Sequence, residues 1–422
     1  MLQGIEELSP TKRKLTINVP QDVILSETNT AYNELRASAK IPGFRPGKAP
    51  HSILVKKFGK DIEAQLIEKL VPQFYMKAVQ EAAIEPVSYP SIEDKIELRP
   101  GEPLSFTVTV EIKPEIRDLN FEGITLKEKP VTLDEADVER SIESMRESRA
   151  LFSVTEDGLE TGDMAIVDSD AYIDGQLKDE LTYKEFPFVL GTDTMPKEFS
   201  DALAGKKKDE TAEVKISFEA DHPNKTIAGK EIVFKVSVKE AKKKHLPPLD
   251  EEFAKESDCR DMDEVKEKIR ENLRKRTESN INLQYKQDIL NELIKRHDFA
   301  APESMVEGEL KSLVEKTKED AMRRGGAVKP DEELVQELVS TAKDNVKSVI
   351  LLETIGKKEK VEVNDSDVKN AIAEIAARNN LKPEEVTRLY SMREGSMDAL
   401  KSRLFADKVL DHILEKAVIE KG

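Results

Sequence analysis

The chain has 422 residues, with 67 Lys and Arg against 84 Asp and Glu for a formal charge of −17, 36% charged residues, 5% aromatics and no Trp. That length predicts roughly three domains at ~100–200 residues each, and the composition predicts many solvated helices rather than one large compact core. The lone cysteine, Cys259, excludes an internal disulfide framework and fits a reducing compartment. With neither a cationic, apolar leader nor a run approaching the ~20 apolar residues of a membrane span, the protein is expected to be soluble, cytoplasmic and not exported.

Arg13 to Val19 alternates, with Leu15, Ile17 and Val19 on one face, and Pro20 ends the strand. A helix is expected around Asp22 to Ala39. The decapeptide Ile41 to Pro50 then reads Ile-Pro-Gly-Phe-Arg-Pro-Gly-Lys-Ala-Pro. Its glycines and prolines exclude a helix or strand interior, so Phe44 and Arg45 are expected on a constrained, exposed loop suited to docking. From Leu35 to Lys60 the charged residues are Arg36, Lys40, Arg45, Lys48, Lys56, Lys57 and Lys60, with no acid among them. Residues 1–114 balance 15 basic against 15 acidic residues, so the remainder carries the whole negative excess. Such a body is repelled by a polyanion everywhere except at this loop, which orients binding.

A second helix, Asp61 to Ala83, carries the stripe Ile62, Leu66, Ile67, Leu70 and Phe74, and alternating runs around Ile92 to Leu98 and Leu104 to Ile112 complete an α+β domain over residues 1–114. Residues 115–150 form a connecting segment with a strand-like Ile124 to Lys127. There Thr132-Leu133-Asp134-Glu135 reads as a capping box opening a helix toward Arg149. From Gly158 the texture changes to short strands and turns, giving a β-rich domain over 151–243, and Lys242-Lys243-Lys244 with Pro247-Pro248 marks an exit linker. Residues 244–422 are read as helical. Openings lie at Met262-Asp263, Pro302-Glu303, Pro330-Asp331, Asn364-Asp365 and Pro383-Glu384, where proline or acid suits a helix start. The fold class expected is therefore multidomain α+β with an all-α C-terminal domain.

Gly43-Phe44-Arg45-Pro46-Gly47-Lys48-Ala49-Pro50 resembles the ribosome-docking signature of bacterial trigger factors. The resemblance runs from Glu6-Glu7-Leu8-Ser9-Pro10 to Leu410-Asp411-His412-Ile413-Leu414-Glu415-Lys416-Ala417. It implies a chaperone with an elongated helical body and two arms, docked through Gly43, Phe44, Arg45 and Lys48. The partners implied are the large ribosomal subunit near the tunnel exit and nascent or unfolded polypeptides, with a homodimer as a further state of the free protein and no membrane partner. Pro46 departs from the signature, standing where many members carry a Lys.

The middle region resembles an FKBP-type prolyl isomerase in its turns: Gly162-Asp163, Asp174-Gly175, Leu190-Gly191, Ala204-Gly205 and Ala228-Gly229-Lys230. In that fold an apolar, aromatic-lined pocket desolvates a proline and lowers a rotation barrier of ~18–20 kcal/mol without nucleophile, base or metal. Carried across residue by residue, a strand aromatic falls on Ser169, a Phe on Lys178, an Ile that offers a backbone N–H on Pro196 and a closing Tyr on His222. The family's pocket-floor Phe is kept as Phe199, Phe234 also matches, and Asp168 approximates the acid of the rim. Two of these six wall positions retain their character, which implies weak or absent isomerase activity.

The five histidines, His51, His222, His245, His297 and His412, are never spaced as paired metal ligands, and no Gly-x-x-x-x-Gly-Lys-Ser/Thr loop occurs. No metal or cofactor is expected, and any chaperone action runs on binding energy alone. The stripes Leu283, Ile289, Leu290, Leu293, Ile294 and Val346, Val349, Ile350, Leu352, Ile355 fit either a core or an exposed client surface, with Met305, Met322, Met392 and Met397 as adaptable contacts. Two functions follow: an ATP-independent, ribosome-tethered holdase, or a soluble prolyl isomerase with a helical scaffold. The displayed loop favours the former.

Overall fold

A computed structural model describes residues 1–38, 44, 48, 50–92, 96–99, 102–192, 195–219, 227–324, 326, 328–392 and 395–420. They fold as two compact units. One is built from Met1–Lys127, Tyr285–Thr317 and Lys329–Gly422, the other from Glu128–Gln284 and Lys318–Val328.

The first unit opens with an antiparallel sheet in the order β1-β2-β4-β3, from β1 (Leu2–Ser9), β2 (Lys12–Val19), β3 (Ser91–Ile92) and β4 (Leu104–Glu111). Leu15, Ile17 and Val19 lie opposite Val108, Phe106 and Leu104, so the alternation of both strands buries one continuous face. Between β2 and β3 come α1 (Gln21–Ser38) and α2 (His51–Ala82). Leu54, Ile62, Leu66, Leu70, Phe74 and Ala78 recur along α2 at multiples of four and cover that face. The stripe therefore begins well before Asp61. The strand expected around Ile92 to Leu98 is confined to β3 among the described residues, because the Leu98 N–H donates to the Glu63 carboxylate at 3.1 Å instead of joining a ladder.

After β5 (Thr125–Lys127), the second unit begins with α3 (Glu135–Ser148). Its cap is Asp134, whose carboxylate accepts the Ala136 N–H at 3.0 Å, rather than the expected Thr132. The β-rich part holds β6 (Leu151–Val154), β7 (Met164–Ile173), β8 (Gln176–Leu177), β9 (Tyr183–Val189), α4 (Lys197–Leu203), β10 (Thr211–Ser217) and β11 (Glu231–His245). Its path is β10-β11-β7-β8, with β9 on β7 and β6 on β11. Asp174 and Gly175 both adopt positive φ, as the tight β7–β8 turn requires. The lysine triplet read as a linker is strand: Lys242 to His245 pair with Val154 to Leu151. A small separate core, including Val138, Ile142, Ala254 and Val265, joins α3 to α5 (Glu251–Glu256) and the start of α6 (Met262–Arg296).

From Tyr285 onward α6 belongs to the first unit. It is followed by α7 (Glu303–Arg323), α8 (Asp331–Glu359), α9 (Asp365–Arg378), α10 (Pro383–Met392) and α11 (Ser396–Lys416). All five expected openings are real, and α9 has a full capping box between Asn364 and Asp367. The last element departs from the helical expectation. Here β12 (Val418–Glu420) pairs in parallel with β5. Stripes that periodicity left open now divide: Ile289, Leu293, Val346, Ile350, Leu352 and Ile355 are buried, whereas Leu283 and Val349 are exposed. The multidomain α+β class, with a helical C-terminal part, is the one observed.

Candidate functional site

The docking candidates lie on the connection from α1 to α2. The rings of Tyr32 in α1 and His51 at the start of α2 are 4.8 Å apart, so α1 packs against the first turn of α2. Phe44 is 38% exposed, although a large aromatic ordinarily seeks cover, and Lys48 is exposed too. Gly43 and Arg45 lie outside the described residues. Beside the connection a crevice of about 630 Å³ is lined by Leu25, Val55, Lys56, Lys57 and Lys60 among others. Lys56, Lys57 and Lys60 of the acid-free stretch thus line a partly apolar crevice whose wall they share with Arg99 and the acids Asp61, Glu63 and Glu102.

In the β-rich part the structure brings Ser169, Phe199 and Phe234 to one buried face. The rings of Phe199 from α4 and Phe234 from β11 stand 5.2 Å apart. Ser169 shares that face because it lies opposite Val236, and its hydroxyl, 1% exposed, has no hydrogen-bond partner among the described residues. Lys178 is half-buried. Its N–H donates to the Ala171 carbonyl at 2.8 Å and its carbonyl accepts the Leu181 N–H, so its backbone is fixed at the edge of the sheet. Pro196 is exposed and precedes α4, with its carbonyl accepting the Phe199 N–H at 3.0 Å. His222 lies outside the described residues.

Asp168 does not join this group. Strand alternation puts it on the opposite face of β7 from Ser169, where its carboxylate accepts the Glu185 N–H at 2.9 Å and meets Lys239 at 3.5 Å and Lys184 at 3.8 Å. The Glu185 hydrogen bond, followed by these two ammonium groups, holds its pKa below the usual carboxylate value. Asp168 secures a bulge: Glu185 has φ of 49°, and the three steps along β9 from Tyr183 to Phe186 lie against two steps along β7 from Ser169 to Val167. The extra residue turns both Tyr183 and Phe186 toward the Ser169 face, with their rings 5.5 Å apart and Phe186 packed on the core holding Phe199 and Phe234. Sequence reasoning missed these two aromatics. Their spacing conceals a common face unless the bulge is known, although Tyr183, Phe186 and Phe188 within one short strand were a visible signal.

In the helical part, Leu389 and Met392 are more than half exposed and one turn apart on α10, and Met322 is equally bare. Met397 packs into the α9–α10–α11 core, and Met305 is half-buried. Among the described residues no cluster of three or more His, Cys, Asp or Glu could hold a metal, and no helix is long and apolar enough to cross a membrane.

An FKBP-like sheet set between an α+β first segment and a helical remainder defines a multidomain folding chaperone with an FKBP-type domain. A model of the bacterial trigger factor protein matches residues 1–145, one of the trigger factor C-terminus matches residues 261–415, and one of FKBP-type peptidyl-prolyl cis-trans isomerase matches residues 156–239. The chain is 38% identical over 417 residues to the trigger factor of Thermodesulfovibrio yellowstonii, covering 99% of this chain and 98% of that one. To the trigger factor of Halothermothrix orenii it is 32% identical, covering 97% and 98%. A solved structure from work on promiscuous substrate recognition by the trigger factor chaperone has a similar fold, with a TM-score of 0.50 at 24% identity over 98% of this chain and 99% of that one. The chain belongs to the bacterial trigger factor family.

Proposed function

We propose that this chain docks on the large ribosomal subunit near the tunnel exit through Gly43, Phe44, Arg45 and Lys48, and receives nascent and unfolded polypeptides on its helical part without ATP. The observation that carries the reading is the exposed Phe44 on the connection between α1 and α2, within a window that has basic residues and no acid. The aromatic supplies apolar contact and the cations supply attraction to phosphate or acidic protein surface, which salt screens. Phe44→Ala with Arg45→Ala is expected to abolish cosedimentation with ribosomes, with an unchanged circular dichroism spectrum. Retained binding would overturn the docking assignment. Wild-type binding should weaken as ionic strength rises.

The FKBP-type domain is a weak isomerase in this reading. Phe199, Phe234, Phe186 and Tyr183 supply aromatic wall. Ser169, Lys178 and Pro196 withhold, in turn, a further ring, an apolar edge and a backbone N–H. An ammonium beside a pocket that must strip water from proline stays hydrated, or else costs several kcal/mol to bury.

A further inference from the structure

The crevice between α1 and α2, about 630 Å³, falls within the size range of small-ligand sites. Ile24 and Leu66 line it from buried positions, and Leu25 and Val55 from exposed ones. Its distinctive polar group is Tyr32. That residue is 7% exposed, yet its hydroxyl has no hydrogen-bond partner among the described residues, whereas buried polar groups are ordinarily paired. Burial raises the phenol pKa, so the group stays protonated and offers a donor. The phenol oxygen lies 3.7 Å from where a Cβ on Gly59 would stand, and Gly59 lines the same crevice. Glycine weakens a helix interior, and an alanine methyl would meet the phenol at ordinary contact distance, so packing on Tyr32 does not demand glycine here. The bare backbone instead leaves the approach to the hydroxyl open.

The charges around the crevice leave one cation in excess. Glu63 accepts the Leu98 N–H at 3.1 Å, Arg99 meets Glu102 at 3.9 Å, and the Lys57 ammonium lies 5.3 Å over the Phe58 ring. Lys56 and Lys60, one turn apart on the same side of α2, make no ion pair among the described residues. Asp61 is the one acid of the crevice without a partner among the described residues. Two unpaired ammonium groups against one carboxylate favour a single negative charge in the space between.

We propose that the α1–α2 crevice binds a small amphiphilic carboxylate, its apolar chain against Ile24, Leu25, Val55 and Leu66, and its head accepting a hydrogen bond from the Tyr32 hydroxyl beside Lys56 and Lys60. The apolar walls supply burial, which is indifferent to charge. The phenol and the two lysines supply the choice of an anion over a neutral or cationic head. This site is independent of ribosome docking and of client holding.

The chain has no Trp, so Leu25→Trp in the full chain places a single indole at the crevice, and Met76→Trp, on α2 but outside it, serves as the control. Each is titrated with decanoate, decanol and decyltrimethylammonium below their micelle concentrations. Emission of the Leu25→Trp chain is expected to shift to the blue and saturate, with the lowest midpoint for decanoate and the highest for decyltrimethylammonium, and the Met76→Trp chain should stay unchanged. In the Leu25→Trp background, Tyr32→Phe, which keeps the ring and removes only the hydroxyl, should raise the decanoate midpoint about tenfold, as loss of a hydrogen bond to a charged acceptor does. Lys56→Gln with Lys60→Gln should raise it about threefold to tenfold. Equal midpoints for the three probes, a decanoate midpoint unmoved by Tyr32→Phe, or the same shift from the Met76→Trp chain overturns the site. If the Leu25→Trp chain is silent, calorimetry of the unaltered chain with decanoate decides: saturable heat that Tyr32→Phe weakens supports the site, and its absence, or heat indifferent to Tyr32→Phe, overturns it. Circular dichroism of every variant checks that the fold is kept.

Discussion

Asp168 shows what one carboxylate does when its strand position points it away from a pocket. It holds the Glu185 N–H, and so holds the bulge that turns Tyr183 and Phe186 to the Ser169 face of the sheet. Asp168→Ala should cost about 1.5–3 kcal/mol, the range for a hydrogen bond to a charged group, and should speed amide exchange along β9. Because its pKa is lowered on folding, its contribution is fully present above the unfolded value near 4 and is lost as pH falls through the lower folded value. Protection at Glu185 should therefore fail only in strong acid. Gly356, buried within α8, poses a contest between two effects. Alanine would gain about 1 kcal/mol of helix propensity, but its Cβ would lie 2.8 Å from Val409 Cγ2 and closer still to the Phe405 ring. Val409 is fully buried and cannot yield, so overpacking of ~1–3 kcal/mol wins. Gly356→Ala is expected to lower the unfolding midpoint in urea.

At the scale of elements, legibility followed periodicity. The helices α6 to α10 and the strand β2 were readable because their apolar spacing and caps are local. By contrast, β1 was missed because, as an edge strand, it buries almost nothing and so carries no alternation. The bulge in β9 and the pairing of β6 with Lys242 to His245 were not legible, since both depend on a partner strand distant in sequence. Of the candidate site, the displayed Phe44 and the Phe199–Phe234 pair were legible, whereas the role of Asp168 was not. The aromatic face sets a direct test of the isomerase reading. In a protease-coupled assay, the chain with Ser169→Tyr, Lys178→Phe and Pro196→Ile should turn over a proline peptide at least tenfold faster than the natural chain. An already efficient natural domain would contradict the damage assigned to these positions.

For the whole molecule, the register of Leu151 opposite His245 has a practical meaning. The β-rich domain enters and leaves on neighbouring strands, while the small core of α3, α5 and α6 lies outside it. Excising residues 151–243 should leave both flanking parts folded, and the shortened chain should still suppress aggregation of a refolding protein without ATP. Loss of all holding would move the client surface into the excised domain.

The pairing of β12 with β5 has a further consequence, in time rather than in space. Residues 418–420 follow residues 125–127 by about 290 positions in the chain, so β5 emerges long before the strand it pairs with. The β1–β4 sheet and α2 can close early from their own contacts, but the unit they belong to is completed only once β12 has been made. Until then the edge of β5 that β12 will cover stays unpaired. During its own birth the protein is a nascent chain of the kind it is proposed to receive, and a copy made earlier is the natural one to shelter it.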